Sequence, residues 1–232
     1  MDDRQRLNFV DILASTLHDT KNAMGMVYSR LEEMGDHCRG RGCPRHADLL
    51  ELQYEIQRLN SNLIRLLTLY KAERTPLKVN CDLHNVSDFL DEVLDRNEPL
   101  LARKGIAVET DCPSDLFRAF DKGLVTGILD NVLNNAFRYA KVKVLLAGRP
   151  EGDGLLIEVS DDGPGYPPRL LMDSSREGGI AEPSSFLTGN TGLGLYFALL
   201  VARAHRRDDR EGYIRVTNGG ALGGGCFALY LP

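Results

Sequence analysis

The stretch VSDDGPGYP, residues 159–167, decides how the fold is read. Leu155 to Ser160 reads as a β-strand, and Gly163-Pro164-Gly165 turns the chain just after Asp161. A carboxylate held at a strand end can accept a hydrogen bond from an exocyclic amine such as that of adenine. Guanine would turn a carbonyl oxygen toward the same acid, a mismatch worth about 1–3 kcal/mol. The glycines let the backbone approach a ligand closely. Taken alone, the same letters also describe a plain turn.

Two further stretches flank it. Upstream, LDNVLNNAFRYA (residues 129–140) places Asn131 and Asn135 one turn apart on a predicted helix. Their carboxamides can offer oxygens to a metal and amines to phosphate, although an isolated pair reads as a solvated polar face. Downstream, GNTGLGLYFALLVARAH (residues 189–205) opens an apolar helix on Gly189, Gly192 and Gly194. First-turn amides have no intrahelical acceptor and, with the helix dipole, favour an anion. This is not a P-loop, because no Gly-Lys-Ser/Thr follows and no strand immediately precedes it.

Working outward, the chain has two halves with different periods. Val10, Leu13, Leu17, Thr20, Met24, Val27, Leu31 and Met34 form a heptad seam. Gly35 to Pro44 breaks it, and Leu49, Leu52, Ile56, Leu59, Leu63, Leu66 and Tyr70 form a second. Two such helices joined by a tight loop make an antiparallel hairpin. A lone hairpin buries its stripes poorly, so pairing into a dimeric four-helix bundle is expected. After Glu73-Arg74-Thr75-Pro76, β-like runs at Ile106 to Thr110, Val142 to Ala147, Leu155 to Ser160, Tyr213 to Thr217 and Phe227 to Leu231 alternate with helical stretches near 85–104, 121–138 and 193–205. Pro99 falls in the first helical stretch, where it would start, kink or end a turn. The expected class is α+β: a helical hairpin over 1–75, then an α/β sandwich with a mixed sheet over 76–232. Residues between Gly163 and Gly192 are expected to form a long loop serving as a lid. No internal repeat is present.

Bulk composition sets outer limits. The 232 residues are 43% apolar and 26% charged, an ordinary globular balance. A net charge of −5 gives no global reason to expect nucleic acid as a partner. No apolar run approaches the roughly 18 residues of a membrane span. The N-terminus MDDRQRLNFVDIL lacks the pattern of a signal peptide. Five scattered cysteines fit free thiols in a reducing, cytoplasmic setting.

The order of the motifs carries more than any one of them. An Asn-pair helix, DxGxG after a strand, a long loop and a GxGLGL helix start resemble the ATP-binding domain of the histidine kinase, gyrase, Hsp90 and MutL superfamily. The hairpin with its His18-Asp19 pair narrows the resemblance to two-component sensor histidine kinases, over roughly residues 7 to 232. The resemblance implies ATP and Mg²⁺ as cofactors. Asn131 and Asn135 would belong to its asparagine box, with Asn131 the Mg²⁺ ligand. Arg138 would face phosphate, and Tyr139 would line the adenine pocket. Asp161 would read adenine, flanked by Gly163 and Gly165. Phe186 would be an aromatic lid residue, and Thr191, Gly192 and Gly194 would close over the triphosphate.

His18 becomes the phosphoacceptor under the same resemblance. Of five histidines, it alone has an adjacent acid and an amide four residues on, at the edge of a helical seam. Histidine is mostly neutral at pH 7 and available as a nucleophile. Asp19 would orient the ring and take its proton, and Asn22 would hold a water for the reverse reaction. Commonly the family has Glu beside this histidine and proline six residues on. Here Asp19, Lys21 and Met24 give the minority HDxKN form. The implied activity is autophosphorylation of His18, then transfer to an aspartate on a response regulator receiver domain, by a homodimer.

Two rivals are a phosphotransfer adaptor with a degenerate ATP domain and an ATP-driven serine kinase or ATPase of the same superfamily. Since 17 residues precede His18, input is expected through a separate sensor protein or from a longer chain containing this piece. His37, Cys38, Cys43 and His46 are four soft ligands that could bind Zn²⁺ or sense redox state, but they match no standard zinc spacing and read first as a solvated loop tip. His84 lies near a helix start, and His205 near a helix C-terminus, where a cation suits the dipole.

Overall fold

The structure, a computed structural model, describes residues 19–20, 22–35, eight single positions between 49 and 68, 76–173 and 192–232. The chain divides into two compact units, Met1–Lys71 and Ala72–Pro232. In the first, residues 22–35 are helical, as are Leu49, Leu52, Ile56, Leu59 and Leu63 of the second seam. Val27, Met34, Leu52 and Leu59 are 47%, 54%, 51% and 44% exposed, although all four lie on the apolar seams.

The second unit is a two-layer sandwich. Strand β1 (Asp82–Asn85) leads into helix α1 (Val86–Lys104). Then come β2 (Ala107–Asp111), β3 (Phe117–Phe120), α2 (Lys122–Tyr139), β4 (Lys143–Glu151) and β5 (Gly154–Asp161). A 3₁₀ turn at Pro168–Leu170 precedes β6 (Met172–Asp173). Helix α3 (Gly192–Ala204) is followed by β7 (Arg206–Arg207), β8 (Arg210–Glu211), β9 (Tyr213–Asn218) and β10 (Gly225–Leu231).

Six strands form a mixed sheet in the order β2-β4-β5-β10-β9-β6. Only the β2–β4 pairing is parallel; the other neighbours are antiparallel. The parallel pair requires a crossover, and α2 supplies it. The mixed sheet and its layer of helices agree with the class expected for this half.

Each helix has a legible start and a face to bury. Asn85 caps α1 by accepting from the Asp88 N–H, and Gly105 closes it at φ 64°. The helix continues through Pro99. Asp121 caps α2 by accepting from the Leu124 N–H at 3.0 Å. Along α2, Val125, Ile128, Leu129, Val132, Leu133, Ala136 and Phe137 recur at helical spacing and are all buried. The helix packs against β5, whose Leu155, Ile157 and Val159 are also buried, while α3 packs on β9 and β10. Each such Leu, Ile or Phe contributes about 1.5–3 kcal/mol over an exposed position. The central strand β10 is buried along its whole length.

One expectation changes. The stretch after Gly163 is not one unbroken loop: its first part contains the 3₁₀ turn and β6, which pairs with β9 through Met172↔Val216. Two residues are too few to show strand periodicity, so sheet contact decides that element. His84 lies one residue before the Asn85 cap of α1, near the helix start as expected; it belongs to strand β1 there, and its ring packs 5.0 Å from that of Phe120. The expected lid residue Phe186 and the loop from His37 to His46 lie outside the described residues.

Candidate functional site

Asp161 ends β5 and is 8% exposed. Its two oxygens have different surroundings. Oδ1 accepts from the Gly163 N–H at 2.8 Å and the Gly225 N–H at 3.2 Å. Oδ2 accepts no hydrogen bond among the described residues. The carboxylate is therefore held by one oxygen and left with acceptor capacity on the other, the arrangement required to receive an amine.

The turn around it is built by close approach. Gly165 sits at φ 83°, and Asn218 fills the space where a side chain would stand. Asn218 binds the neighbouring backbone at two points: Oδ1 accepts from the Tyr166 N–H at 2.7 Å, and Nδ2 donates to the Tyr166 carbonyl at 2.9 Å. A Cβ at Gly225 would lie 2.8 Å from Asp161 Oδ2 and 2.9 Å from a ring carbon of Tyr166. The Tyr166 phenol is pushed up by burial and by the charges of Asp161 and Cys226, so it stays neutral. The Gly224 N–H donates to the Asp161 carbonyl at 3.0 Å, completing the turn.

Asp162 does a different job. Its Oδ1 accepts from the N–H groups of Lys141 at 2.8 Å and Val142 at 3.2 Å, just past the end of α2. Desolvation opposes its ionisation, but backbone donors at Lys141, Lys143 and Val142 outweigh it and hold the carboxyl low. Asp162 thus ties the Asp161 turn to the exit of α2. Gly163 lies against the Tyr139 carbonyl at the same junction. Arg138 and Tyr139 themselves are exposed.

Helix α2 meets α3 at a second junction. Asn131 is buried, and a Cβ at Gly194 would collide with its carboxamide. One turn further along α2, Asn135 Nδ2 is buried without a hydrogen-bond partner among the described residues. Gly192 opens α3, with first-turn amides that need acceptors from outside the helix. Asn131, Asn135, Asp161, Gly163, Gly165 and Gly194, far apart in sequence, are thus connected through α2 and its two junctions. Thr191 lies outside the described residues, as does His18; Asp19 and Asn22 are exposed on the helix of the first unit.

These donors and acceptors fit a magnesium-bound adenine nucleotide. Oδ2 of Asp161 can receive an amine, and Asn135 Nδ2 needs an acceptor such as a phosphate oxygen. The carboxamide oxygens on α2 are ligands of the kind a hard cation takes. No group of three His, Cys, Asp or Glu side chains suited to a metal occurs among the described residues. Asp162, Asn218, Gly224 and Gly225 were not foreseen from the sequence. The run GGALGGG at 219–225 was the available signal, since clustered glycines mark close backbone approach.

Residues 121–232 match the profile of the "Histidine kinase-, DNA gyrase B-, and HSP90-like ATPase" family. The chain is 32% identical over 177 residues to the sensor-like histidine kinase SenX3 of Mycobacterium tuberculosis, covering 74% of this chain and 40% of SenX3. Its fold is similar to that of the Acinetobacter baumannii histidine kinase AdeS, with a TM-score of 0.59 at 21% identity over 88% of this chain and 93% of that one. It is also similar to full-length ShkA in complex with AMPPNP, with a TM-score of 0.62 at 20% identity over 96% of this chain and 45% of that one. The chain spans less than half the length of the curated relatives it matches. Among the described residues, no helix is long and apolar enough to cross a membrane.

Proposed function

Because residues 121–232 match the histidine kinase-, DNA gyrase B- and HSP90-like ATPase family, we propose that the chain is the catalytic part of a sensor histidine kinase. It binds Mg·ATP in the unit beginning near residue 76, phosphorylates His18 and passes the phosphoryl group to an aspartate of a response regulator. The observation that carries the nucleotide reading is Asp161, with Oδ1 saturated by two backbone donors and Oδ2 left to accept. The name of SenX3 and the AMPPNP in the ShkA complex support the same reading.

Asp161 selects the base by accepting from the exocyclic amine of adenine, with the Tyr166 ring and Gly225 forming the adjoining surface. Asn135 and the first-turn amides of α3, with Gly192 and Gly194, hold phosphate oxygens. Arg138 adds a cation at the exit of α2, and Tyr139 covers the base edge. Thr191 and Phe186 belong to the segment that closes the site. Asn131 holds Mg²⁺ through its carboxamide oxygen, and the ion's chemistry is to neutralise phosphate charge.

In the first unit, a neutral imidazole nitrogen of His18 attacks the γ-phosphorus. The bond to the β–γ bridging oxygen breaks, ADP leaves, and the ring proton passes to Asp19. Asn22, exposed one turn on, orients water for dephosphorylation. Val27, Met34, Leu52 and Leu59 remain substantially exposed on the two seams, and a second copy of this chain is the proposed cover, forming the four-helix bundle.

Incubation with γ-labelled ATP tests the whole scheme. Label should be acid-labile and base-stable, and absent from H18Q. Acid-labile label that persists in H18Q would sink the phosphoacceptor assignment. ATP binding without any label would favour the phosphotransfer adaptor.

A further inference from the structure

In sequence, His205 reads as a cation suited to a helix C-terminus; the structure makes it neutral and gives it another task. The ring is 3% exposed. Its Nε2 accepts from the Asp121 N–H at 3.1 Å. The ring proton therefore resides on Nδ1, which donates to the Val201 carbonyl at 2.8 Å. Asp121 is the N-cap of α2, and its Oδ2 accepts from the Asn80 N–H at 3.0 Å. One ring thus joins the exit of α3 to the start of α2 and, through Asp121, to the segment leading into the unit.

The same two helices touch again at the start of α3, midway along α2, where Asn131 packs on Gly194. Ten residues separate Asp121 from Asn131, and eleven separate Gly194 from His205. At a rise of about 1.5 Å per residue, these are helix lengths of about 15 and 17 Å. Near-equal lengths are what an antiparallel pair pinned at two points requires. Close-packed helices pass displacement along their length rather than absorbing it. Slack at the His205 pin is then felt as a change of spacing at the Asn131 pin.

We infer that His205 is a positioning residue for the nucleotide site: its neutral ring holds α3 against α2 and so keeps Gly194 and the first turn of α3 seated on Asn131. The inference rests on the nucleotide reading above. The two ring nitrogens have separable roles. The Nδ1 bond stays within α3, whereas the Nε2 bond is the one between helices. A protonated ring would turn an N–H toward the Asp121 N–H, removing the acceptor. The groups around the ring include the Asp121 carboxylate on α2, with Cys81 close to that carboxylate, and Arg203 and Arg206 flanking His205 in sequence. Burial disfavours the charged ring and outweighs the opposing pull of the Val201 carbonyl and Asp121.

Mg·ATP titrated calorimetrically into wild type, H205Q and H205N between pH 7.5 and 5.5 tests this. Glutamine places an oxygen near the Nε2 position and keeps a non-titrating acceptor for the Asp121 N–H. Asparagine reaches only the Nδ1 position and loses it. At pH 7.5, H205N should bind on the order of fivefold more weakly, the scale of a lost buried hydrogen bond, and H205Q within about twofold of wild type. On acidification the wild type should lose more affinity than H205Q; protonation of ATP itself is common to both. Wild-type affinity in H205N, or an H205Q curve that follows the wild type's pH dependence, overturns the inference. Should H205N fail to fold, the H205Q pH curve decides. A wild type that binds no Mg·ATP overturns the nucleotide reading and this inference with it.

Discussion

The α2–α3 pair has buried polar groups near both of its ends, and the two sets are finished differently. At the Asp121–His205 end every partner is inside the protein. Asp121 accepts from Leu124 and Asn80, and His205 accepts from Asp121 and donates to Val201. At the other end Asn135 Nδ2 is buried without a hydrogen-bond partner among the described residues, and Asp161 Oδ2 accepts no bond from them. Leaving a buried polar group unsatisfied costs about 1–3 kcal/mol, so a fold keeps such groups where something else completes them. On the proposed nucleotide reading, the closed end is scaffold and the open end is site.

The largest expected effect comes from filling the open end. G194A puts a methyl group into the Asn131 carboxamide, which is buried and cannot step aside freely. Overpacking of this kind costs about 1–3 kcal/mol. ATP affinity should fall by tenfold or more in calorimetry, with a lower melting temperature. Unchanged affinity would show that the Asn131–Gly194 contact does not shape the site.

D161N should act on binding and spare the fold. An amide at this position can keep one oxygen for the Gly163 and Gly225 N–H groups but sets a donor against the adenine amine. Affinity should drop about five- to a hundredfold, the range of one mismatched polar contact, with the melting temperature little changed. A large loss of stability with retained affinity would make Asp161 part of the scaffold and blur the contrast.

The smallest effect belongs to the closed end and appears in stability against pH. Burial lowers the His205 pKa in the folded state. The unfolded ring titrates near 6.5, so below that pH the unfolded chain binds a proton that the folded chain resists. The stability from His205 is therefore complete above about pH 6.5 and is lost as pH falls toward the folded value. Melting curves from pH 7.5 to 5 should decline more steeply for wild type than for H205Q. Parallel curves would show that the ring titrates freely and that this end is not closed.

Much of the open end was legible because backbone contacts restrict residue type there. Gly194 must be glycine to admit Asn131, and Asp161 must be an acceptor at a strand end, so a strict local pattern survives in the letters. Asn218, Gly225 and Asp162 were not legible as site-builders. Asn218 acts on Tyr166 across 52 residues, and nothing near it in sequence shows that partner. The two-residue strands β6, β7 and β8 were missed because they are too short to display a period.

By itself, the sequence determined the two-part layout, the mixed α/β character of the second part and the three motifs in order, since hydrophobic period and glycine placement are local properties of the chain. Only the tertiary structure decided which oxygen of Asp161 is tied and which is open. It alone assigned the latching of the turn to Asp162 and Asn218 and made His205 a neutral bridge rather than a helix-end cation. Hydrogen-bond partnership and burial depend on what the fold brings from 20 to 84 residues away. A histidine or aspartate carries the same letter whether its partners are water, backbone or a ligand.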